Sequence, residues 1–360
     1  MIGVGIVGLS ATGGWAAGAH LPALAAVDGI ELRALAAGSD ASARAAGEAY
    51  GVPAYTSVEP LARREDVDLV VVTVKVPRHR ELILPALASG VPVLSEWPLA
   101  VDLAEAEELE RAAAGTRTFI GLQGRSSPTF RWLRDLVADG YVGRVLSATV
   151  VASSAGWGGP VSERGRYTLD RANGATMLTI GFGHAIDSVA MVVGELEDVV
   201  ATTATRRSQV PLEGTEELVP MTAEDQIAVS GTLAGGAVLS AHYRGYTLAG
   251  PGFSLTIDGT EGTLEVTAPS HPNVNPVTVR GARGPGAPTP LPIPAGYDAY
   301  PQLADGRVHA LTHHYAAIRD DLVGGTSVVP GFAHAVERHR LLDAIQRSAA
   351  TGQRVRLTPR

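Results

Sequence analysis

The chain has 360 residues, a formal net charge of −8 and no cysteine. The absence of cysteine excludes disulfides and thiolate chemistry, and the acidic balance provides no basic face for nucleic acid. No stretch approaches the roughly 20 apolar residues of a transmembrane helix, and the sequence opens on a strand-like run instead of a secretory signal. We therefore expect a cytoplasmic protein with no nucleic-acid or membrane partner, long enough for two domains.

Strands and helices are predicted to alternate over residues 1–122. The predicted strands cover 2–9, 30–37, 67–74, 91–95 and 118–122, and the predicted helices cover 15–27, 40–50, 80–89 and 103–114. Alternation at this spacing indicates a parallel sheet with helices on both faces. We therefore expect a doubly wound, dinucleotide-binding domain of the Rossmann type over residues 1–122.

After residue 122 the pattern changes to alternating segments that are typical of antiparallel strands. The predicted strands are 145–152, 195–206, 226–233, 237–243, 254–258 and 263–266, and the predicted helices are 128–140, 309–322 and 331–349. The segment 281–294 is rich in Gly and Pro and is predicted to be an exposed loop. The expected fold class is α/β, with a C-terminal α+β domain over 123–360 built on a mostly antiparallel open sheet.

The turn after the first predicted strand has the character of a phosphate-binding cradle. Its small residues are Gly8, Ser10, Thr12, Gly13 and Gly14, and Trp15 opens the following helix. Backbone N–H groups at a helix N-terminus bind a pyrophosphate where small side chains let it approach. Ser10 takes the place of the middle glycine in the usual G-x-G-x-x-G pattern. We therefore predict that an NAD(P) cofactor binds at this turn.

The end of the second predicted strand bears on the choice between NAD and NADP. An acidic residue usually binds the ribose hydroxyls of NAD at this position, but this chain has Ala37. Ser39 can donate a hydrogen bond to a 2′-phosphate, and Arg44 lies one turn into the next predicted helix. These residues favour NADP, whereas Asp40 reaching back to the ribose would favour NAD.

Several motifs resemble those of the Gfo/Idh/MocA oxidoreductase superfamily, over essentially the whole chain. The motifs are Ser95-Glu96-Trp97-Pro98, the turn at 74–79, Gly174 with His184-x-x-Asp187, and Ile257-Asp258-Gly259 with Gly262. Stretches such as Gln123-Gly124-Arg125 and Gly156-Trp157 are similar to the branch that contains the yeast galactose-pathway repressor. The resemblance implies a nicotinamide cofactor, a sugar or polyol substrate, and a homodimer or homotetramer formed through the open sheet.

Further ligand-binding residues are predicted from this resemblance and from their positions at the ends of strands. The cofactor-binding set beyond the first turn is Ser39, Val74, Lys75, His79, Glu96, Trp97 and Gln123. The substrate-binding set is Trp97, Arg125, Trp157, Tyr167 and His184. Trp157 is predicted either to stack on a sugar ring or to pack on the first domain.

Two departures from the superfamily pattern concern the groups that transfer protons. The lysine of the Glu-Lys-Pro motif is Trp97 here, and the aspartate expected four residues before the histidine is Ile180, with Thr179 beside it. His184 remains as the predicted catalytic acid–base group, because neutral imidazole exchanges protons near pH 7. Three roles stay open for Lys75, the only lysine: contact with the cofactor ribose or phosphate, a displaced catalytic lysine, or a surface residue.

Two functions therefore fit the sequence. The first is an NAD(P)-dependent oxidoreductase that transfers hydride between nicotinamide and a ring carbon of a sugar, cyclitol or sugar derivative. The second is a regulator that binds NAD(P) and a sugar without turnover and acts through a protein partner. The redox activity common in the superfamily favours the first. No metal site is expected, because His313, His314, His334 and His339 lack the spacing usual for zinc ligands.

Overall fold

The computed structural model describes residues 1–154, 156–247 and 252–357. The chain divides into two compact units, of which the first contains Met1–Ser126 and Tyr300–Glu337. The second contains Ser127–Ala299 and the chain from Arg338 onward. The division differs from the expected domains 1–122 and 123–360, because a C-terminal helix (α8, Gly306–Gly324) packs on the first helix (α1, Leu21–Ala25).

The first unit is built on a six-stranded sheet in which every neighbouring pair is parallel. Its strands are β1 (Ile2–Val7), β2 (Ile30–Ala36), β3 (Ala54–Tyr55), β4 (Leu69–Val72), β5 (Val93–Glu96) and β6 (Thr118–Gly121). The spatial order is β3-β2-β1-β4-β5-β6. Since β1, β4 and β6 are apolar and largely or wholly buried, the sheet is covered on both faces. The predicted doubly wound parallel sheet is confirmed.

Helices of the first unit connect these strands and form its outer layers. They are α1, α2 (Asp40–Tyr50), α3 (Val58–Ala62), α4 (His79–Ala88), α5 (Leu103–Ala112) and α8. A π-helical turn, Ala16–His20, precedes α1. The core of the unit unites β1 and α1 with the fully buried Tyr315 of α8. The two-residue strand β3 and the short α3 were not predicted, because neither is long enough to show a periodic pattern.

The second unit carries a nine-stranded sheet that is antiparallel except where β7 pairs with β12. Its order is β16-β15-β14-β13-β7-β12-β11-β8-β17. The strands are β7 (Val145–Ser154), β8 (Asp198–Ala204), β11 (Gln226–Thr232), β12 (Val238–Gly245), β13 (Phe253–Gly259), β14 (Gly262–Ala268), β15 (Thr278–Arg283), β16 (Thr289–Pro290) and β17 (Val355–Arg356), and β9 (Gln209–Pro211) pairs separately with β10 (Leu218–Pro220). The predicted mostly antiparallel sheet is confirmed.

Most of the predicted exposed loop 281–294 is exposed, but the prediction is wrong for the five residues that belong to β15 and β16. Gly281 indicated a loop in the sequence, but it is a strand residue that neighbouring side chains approach closely. A Cβ at Gly281 would lie 2.6 Å from Leu291 Cδ1 and 2.7 Å from the Tyr141 hydroxyl. These side-chain ends would have to shift to admit a Cβ, so packing and not a turn favours glycine there.

Three longer helices complete the fold: α6 (Pro128–Ala138), α7 (Gly183–Val193) and α9 (Phe332–Thr351). The boundary between the units falls within α9. A second π-helical turn, Met177–Phe182, leads into α7. Among the residues that the structure describes, no helix combines the length and the apolar character needed to cross a membrane.

Candidate functional site

The turn after β1 has the geometry of a phosphate cradle. Gly8 has φ +99°, and a Cβ there would lie 2.8 Å from Val74 Cγ1. Gly13 and Gly14 have φ values of +100° and +113°, which L side chains rarely adopt. A Cβ at Gly13 would have nothing within 4 Å. The glycines are thus required by backbone conformation and leave space beside the turn.

The polar residues of the same turn hold its shape. The Ser10 hydroxyl accepts a hydrogen bond from the Thr12 N–H at 3.2 Å, and the two hydroxyl oxygens lie 3.0 Å apart. Tyr50 of α2 donates its hydroxyl hydrogen to the Ser10 carbonyl at 2.8 Å. Ser10 therefore replaces the expected glycine while stabilising the turn with its own side chain.

A buried network lies at the carboxyl end of β5. His20 Nδ1 lies 2.7 Å from the Tyr315 hydroxyl, and His20 Nε2 lies 3.2 Å from Glu96 Oε1. Burial raises the pKa of Tyr315 well above its usual value, so the phenol stays protonated beside His20 Nδ1. A Cβ at Gly121 would lie 2.6 Å from Glu96 Oε1, so the neighbouring strand leaves room for this carboxylate.

The residues around β4 and β5 differ in how far they are exposed. Trp97 is buried, and Lys75 is exposed on the turn after β4. His79 lies within 3.1 Å of the Leu99 carbonyl through Nδ1 and 3.0 Å of the Val74 carbonyl through Nε2. Burial lowers the pKa of His79. His79 thus joins the loops after β4 and β5 from within the unit, whereas Lys75 lies at its surface.

Two side chains lie near the end of β2: Ser39, which was predicted from the sequence, and Arg78, which was not. Ser39 caps α2: its hydroxyl accepts from the Ser42 N–H at 3.2 Å. Arg78, from the turn after β4, has Nη1 3.7 Å from the position of a Cβ on Gly38. No linear spacing relates Arg78 to Gly38, so only the fold brings them together.

These features fit a nicotinamide dinucleotide. The glycine turn offers backbone close to a pyrophosphate. Trp15 Nε1 and Gln123 Oε1 are among the buried polar atoms that have no hydrogen-bond partner within the described part of the chain. Gln123 follows β6, and Arg125 lies half-buried in the same short helical turn. All predicted cofactor- and substrate-binding residues from Gly8 to Arg125 belong to the first unit, which contains Met1–Ser126.

The second unit holds His184 in the first turn of α7, where it is 9% exposed. Its ring meets that of His271 edge-on, with centroids 5.9 Å apart. His271 Nε2 lies 2.9 Å from the Gly181 carbonyl, and the Asn273 N–H lies 3.3 Å from His271 Nδ1. Burial lowers the pKa of His271 to about 3, and the nearby His184 contributes to this shift. His271 therefore stays neutral, donates from Nε2 and accepts at Nδ1.

Asn273 joins the His271 loop to α7. Its side-chain amide donates to the His184 carbonyl at 3.3 Å, and its Oδ1 accepts from the Ser188 hydroxyl at 3.1 Å. His271 and Asn273 were not singled out from the sequence, because they lie more than 80 residues from His184 and follow a strand in an unpatterned loop. They fix the backbone and the ring surroundings of the predicted acid–base residue.

Thr179 has a structural role at the position beside the missing aspartate. Its hydroxyl donates to the Gly174 carbonyl at 2.7 Å, and its N–H donates to the Thr176 hydroxyl at 3.3 Å. Thr176 in turn donates to the buried Glu224 at 2.8 Å. The hydroxyl of Thr179 is therefore part of the helix cap that positions the turn before His184.

Trp157 and Tyr167 also belong to the second unit. Trp157 has a left-handed backbone with φ +49° and donates its indole N–H to the Thr168 carbonyl at 3.0 Å. Its ring packs on an apolar cluster that includes Leu169 and Val210. Tyr167 is half-buried, and burial raises the pKa of its phenol. Trp157 thus packs within its own unit, and its predicted stacking on a sugar remains a prediction.

Comparison with known families gives a match for each part of the chain. Residues 2–122 match an oxidoreductase family model with an NAD-binding Rossmann fold, and residues 128–268 match the model of the Gal80p C-terminal domain. The boundary between the two matches lies close to the division of the structure after residue 126.

Individual relatives include both a dehydrogenase and a regulator. Dehydrogenase aclE of Aspergillus oryzae is 36% identical over 48% of this chain and 49% of its own length. The galactose/lactose metabolism regulatory protein GAL80 of Saccharomyces cerevisiae is 29% identical over 74% of this chain and 66% of its own length. The matched segments thus span about half to two thirds of these curated relatives.

Solved structures show the same fold over nearly the whole chain. A super-repressor mutant of Gal80p from Saccharomyces cerevisiae has a TM-score of 0.87, with 24% identity over 99% of this chain and 97% of its own. Levoglucosan dehydrogenase in complex with NADH and L-sorbose has a TM-score of 0.83, with 21% identity over 99% of both chains. At these identities the similarity establishes the fold alone.

Proposed function

Because the chain belongs to the Gfo/Idh/MocA oxidoreductase family and carries a Gal80-type C-terminal domain, we propose that it is an NAD(P)-dependent oxidoreductase. The reaction proposed is hydride transfer between nicotinamide and a ring carbon of a sugar, cyclitol or sugar derivative. The relatives 1,5-anhydro-D-fructose reductase and inositol 2-dehydrogenase support this substrate class. The cofactor, when bound, supplies or accepts the hydride at nicotinamide C4.

The observation that carries the proposal is the buried His184 with its fixed surroundings. Oxidation of a carbinol releases one hydride and one proton, so the site needs a group that takes the hydroxyl proton. His184 is proposed as that group. Its neighbour His271 stays neutral and so adds no second positive charge when His184 becomes protonated. The Asn273 amide holds the backbone carbonyl of His184, which supports the orientation of the residue.

Lys75 is proposed as the second polar group of the reaction. Trp97 stands where related enzymes have lysine, and it is buried, so it provides an apolar surface and no proton. Lys75 is exposed at the carboxyl edge of the parallel sheet, the edge at which ligands bind in such folds. Its ammonium group would stabilise negative charge that develops on the substrate oxygen.

The experiment that tests these roles compares His184→Ala and Lys75→Ala with the unmodified protein. Both variants are expected to abolish hydride transfer while nucleotide affinity stays within about threefold, since neither residue forms the glycine cradle. Arg80→Ala, at an exposed residue paired with Glu108, is the control and should retain activity. Unchanged turnover in both variants would contradict the assignment of these two residues.

A second function is supported by specific observations. Trp97 and Ile180 stand where the family pattern has two proton-transfer groups. In addition, the regulatory protein GAL80 of Saccharomyces cerevisiae matches 74% of this chain. In this alternative the protein binds NAD(P) and a sugar without turnover and regulates a protein partner. We favour the oxidoreductase, because His184, a group able to take the hydroxyl proton, is retained.

The cofactor preference and the assembly of the protein are proposed as well. NADP is the favoured cofactor, since Ala37 leaves the end of β2 without the acid that binds the ribose of NAD. The open sheet of the second unit is proposed to form a homodimer or homotetramer. Its outward face carries small, mostly hydroxyl-bearing side chains, including exposed Thr149, Thr202, Ser230 and Ser240. A cytoplasmic location remains a prediction.

A further inference from the structure

One arginine lies at the place where a dinucleotide-binding sheet distinguishes NAD from NADP. That place is the end of β2, where the adenosine ribose is bound in such sheets. Here the chain reads Ala37, Gly38, Ser39, so no carboxylate follows the strand directly. Arg44, the first basic residue after the strand, is exposed on α2. The structure instead brings Arg78 to Gly38.

Arg78 reaches this position from a strand on the far side of β1. The sheet order places β1 between β2 and β4, and Arg78 belongs to the turn after β4. Neighbouring strands lie about 4.8 Å apart, so the turn after β4 and the Arg78 side chain together cross the width of β1. Its Nη1 lies 3.7 Å from the position of a Cβ on Gly38. The absence of a side chain at Gly38 leaves the guanidinium next to the backbone at the end of β2.

The hydrogen bond between Arg78 and Glu81 leaves the Nη1 side of the guanidinium facing the end of β2. Its Nε donates to Glu81 Oε1 at 2.5 Å, and both side chains are about half exposed, at 52% and 55%. Glu81 therefore orients the side chain from the Nε side, while Nη1 is turned toward Gly38. The planar guanidinium binds phosphate oxygens through two parallel N–H donors. An arginine oriented in this way matches a phosphate group better than it matches a neutral ribose diol.

The neighbouring residues are consistent with an anion. Ser39 accepts from the Ser42 N–H at 3.2 Å, and Ser42 donates its own hydroxyl hydrogen to the Ser39 carbonyl at 2.9 Å. The hydroxyl hydrogen of Ser39 is then available for the Ser42 oxygen or for a bound phosphate. Asp40, in the first turn of α2, is the acidic group closest in sequence. It is exposed, so solvent screens its repulsion of an anion.

We propose that Arg78 recognises the 2′-phosphate of NADP and makes this protein select NADP over NAD. The proposal rests on the proposed function, because it requires the dinucleotide to bind along the carboxyl ends of β1 and β2. It assigns the specificity to a residue of the β4–α4 turn and not to the β2–α2 loop, where the choice is usually made.

The test measures the affinity of Arg78→Ala and of the unmodified protein for NADPH and for NADH by fluorescence titration. Loss of a hydrogen bond to a charged group should raise the Kd for NADPH by roughly 10- to 100-fold. The Kd for NADH should stay within about twofold. Arg80→Ala is the matched control, because Arg80 is two residues away, exposed and paired with Glu108 at 2.6 Å, and it should leave both affinities unchanged.

Displacement by fragments separates the phosphate from the rest of the nucleotide. In the unmodified protein 2′,5′-ADP should displace bound nucleotide at least tenfold more effectively than 5′-AMP, and this difference should disappear in Arg78→Ala. Ala37→Asp, directly after β2, provides a second variant. It should weaken NADPH and strengthen NADH, since the carboxylate repels the phosphate and accepts from a ribose diol.

The outcomes distinguish failure of this inference from failure of the proposed function. Equal losses for NADH and NADPH in Arg78→Ala would mean that Arg78 contacts a group common to both, and they would overturn the inference. Tighter binding of NADH by the unmodified protein would also overturn it, while the oxidoreductase proposal would stand with NAD. If the unmodified protein binds neither nucleotide, both proposals fail.

Discussion

The His20 imidazole lies 3.2 Å from the Glu96 carboxylate and joins the helical turn after the glycine cradle to the end of β5. The two residues are 76 positions apart in the chain, and His20 is completely buried. Tyr315 supports the pair from α8, with its hydroxyl 2.7 Å from His20 Nδ1. The first unit thus fixes its proposed nucleotide edge through a polar network and not through apolar packing alone.

Replacing His20 should destabilise the protein. His20→Phe keeps an aromatic ring but leaves the Tyr315 hydroxyl and the Glu96 carboxylate without this partner, which costs about 2–4 kcal/mol. Tyr315→Phe removes only one hydroxyl and should cost about 1 kcal/mol. Urea unfolding of both variants measures the difference. A His20→Phe variant as stable as the unmodified protein would contradict the role given to this network.

Stability should fall in acid because of two buried histidines. Burial lowers the pKa of His271 to about 3 and that of His314 to about 4, from 6.5. Their contribution is fully present above pH 6.5 and is lost as the pH falls from 6.5 towards these values, because the unfolded chain binds protons that the folded chain does not. The slope is about 1.4 kcal/mol per pH unit for each histidine.

The pH dependence of the free energy of unfolding also tests whether His271 contributes to the loss of stability in acid. His271→Gln can still donate to the Gly181 carbonyl, and it should make the free energy of unfolding less dependent on pH between 6 and 4. His242→Gln is the control, since His242 is exposed on β12, and it should leave the slope unchanged. Equal slopes in all three proteins would show that His271 does not stay neutral in the folded state.

The buried pair Asp187 and Arg338 should be costly to break. Arg338 Nε lies 3.6 Å from Asp187 Oδ1, and both side chains are less than 5% exposed. Arg338→Leu removes the cation that the buried Asp187 carboxylate shares with Glu195, and it should lower the free energy of unfolding by about 3–5 kcal/mol. Arg347→Leu is the control on the same helix, because its pair with Asp343 is exposed and should be worth less than about 1 kcal/mol. Similar losses in the two variants would contradict this distinction.

The proposed assembly through the open sheet can be tested on its central strand. Ser240 is exposed on β12, opposite Ser230 and Thr149 on the neighbouring strands. Ser240→Arg would bury a charge in any interface formed by this face and should dissociate the oligomer. Light scattering during gel filtration measures the mass. Ala234→Arg, in the turn before β12, should not change it, and a monomeric unmodified protein would contradict the proposal directly.

The sequence predicted those parts of the protein whose structure follows from local residue patterns. The apolar runs of β1 and β4 indicated strands, and the glycines of the first turn indicated a phosphate-binding turn. The helix α7 was not predicted, because it begins at Gly183 after a π-helical turn and lacks a standard start signal. Gly281 was assigned to a loop, although close packing is the reason for glycine there.

The parts of the site that were missed depend on contacts between distant segments. His20 and Tyr315 are 295 residues apart, and His271 approaches His184 from a loop beyond β14. Arg78 meets Gly38 only in the folded sheet, where β2 and β4 lie on either side of β1. Side chains that support a functional group from elsewhere in the fold leave no spacing signal in a single sequence. The predicted residues were accordingly the ones that follow strands or repeat a family motif.

The central claim is that this chain transfers hydride between nicotinamide and a sugar, and single-turnover absorbance tests it most directly. The purified protein is loaded with NADPH or NADH, or with the oxidised forms, and mixed with a panel of sugars, cyclitols and their keto forms. Gain or loss of the reduced-nicotinamide absorbance, stoichiometric with protein and absent in His184→Ala, is the result that the oxidoreductase proposal predicts. Tight nucleotide binding with no redox change across the panel would contradict it and favour the regulator.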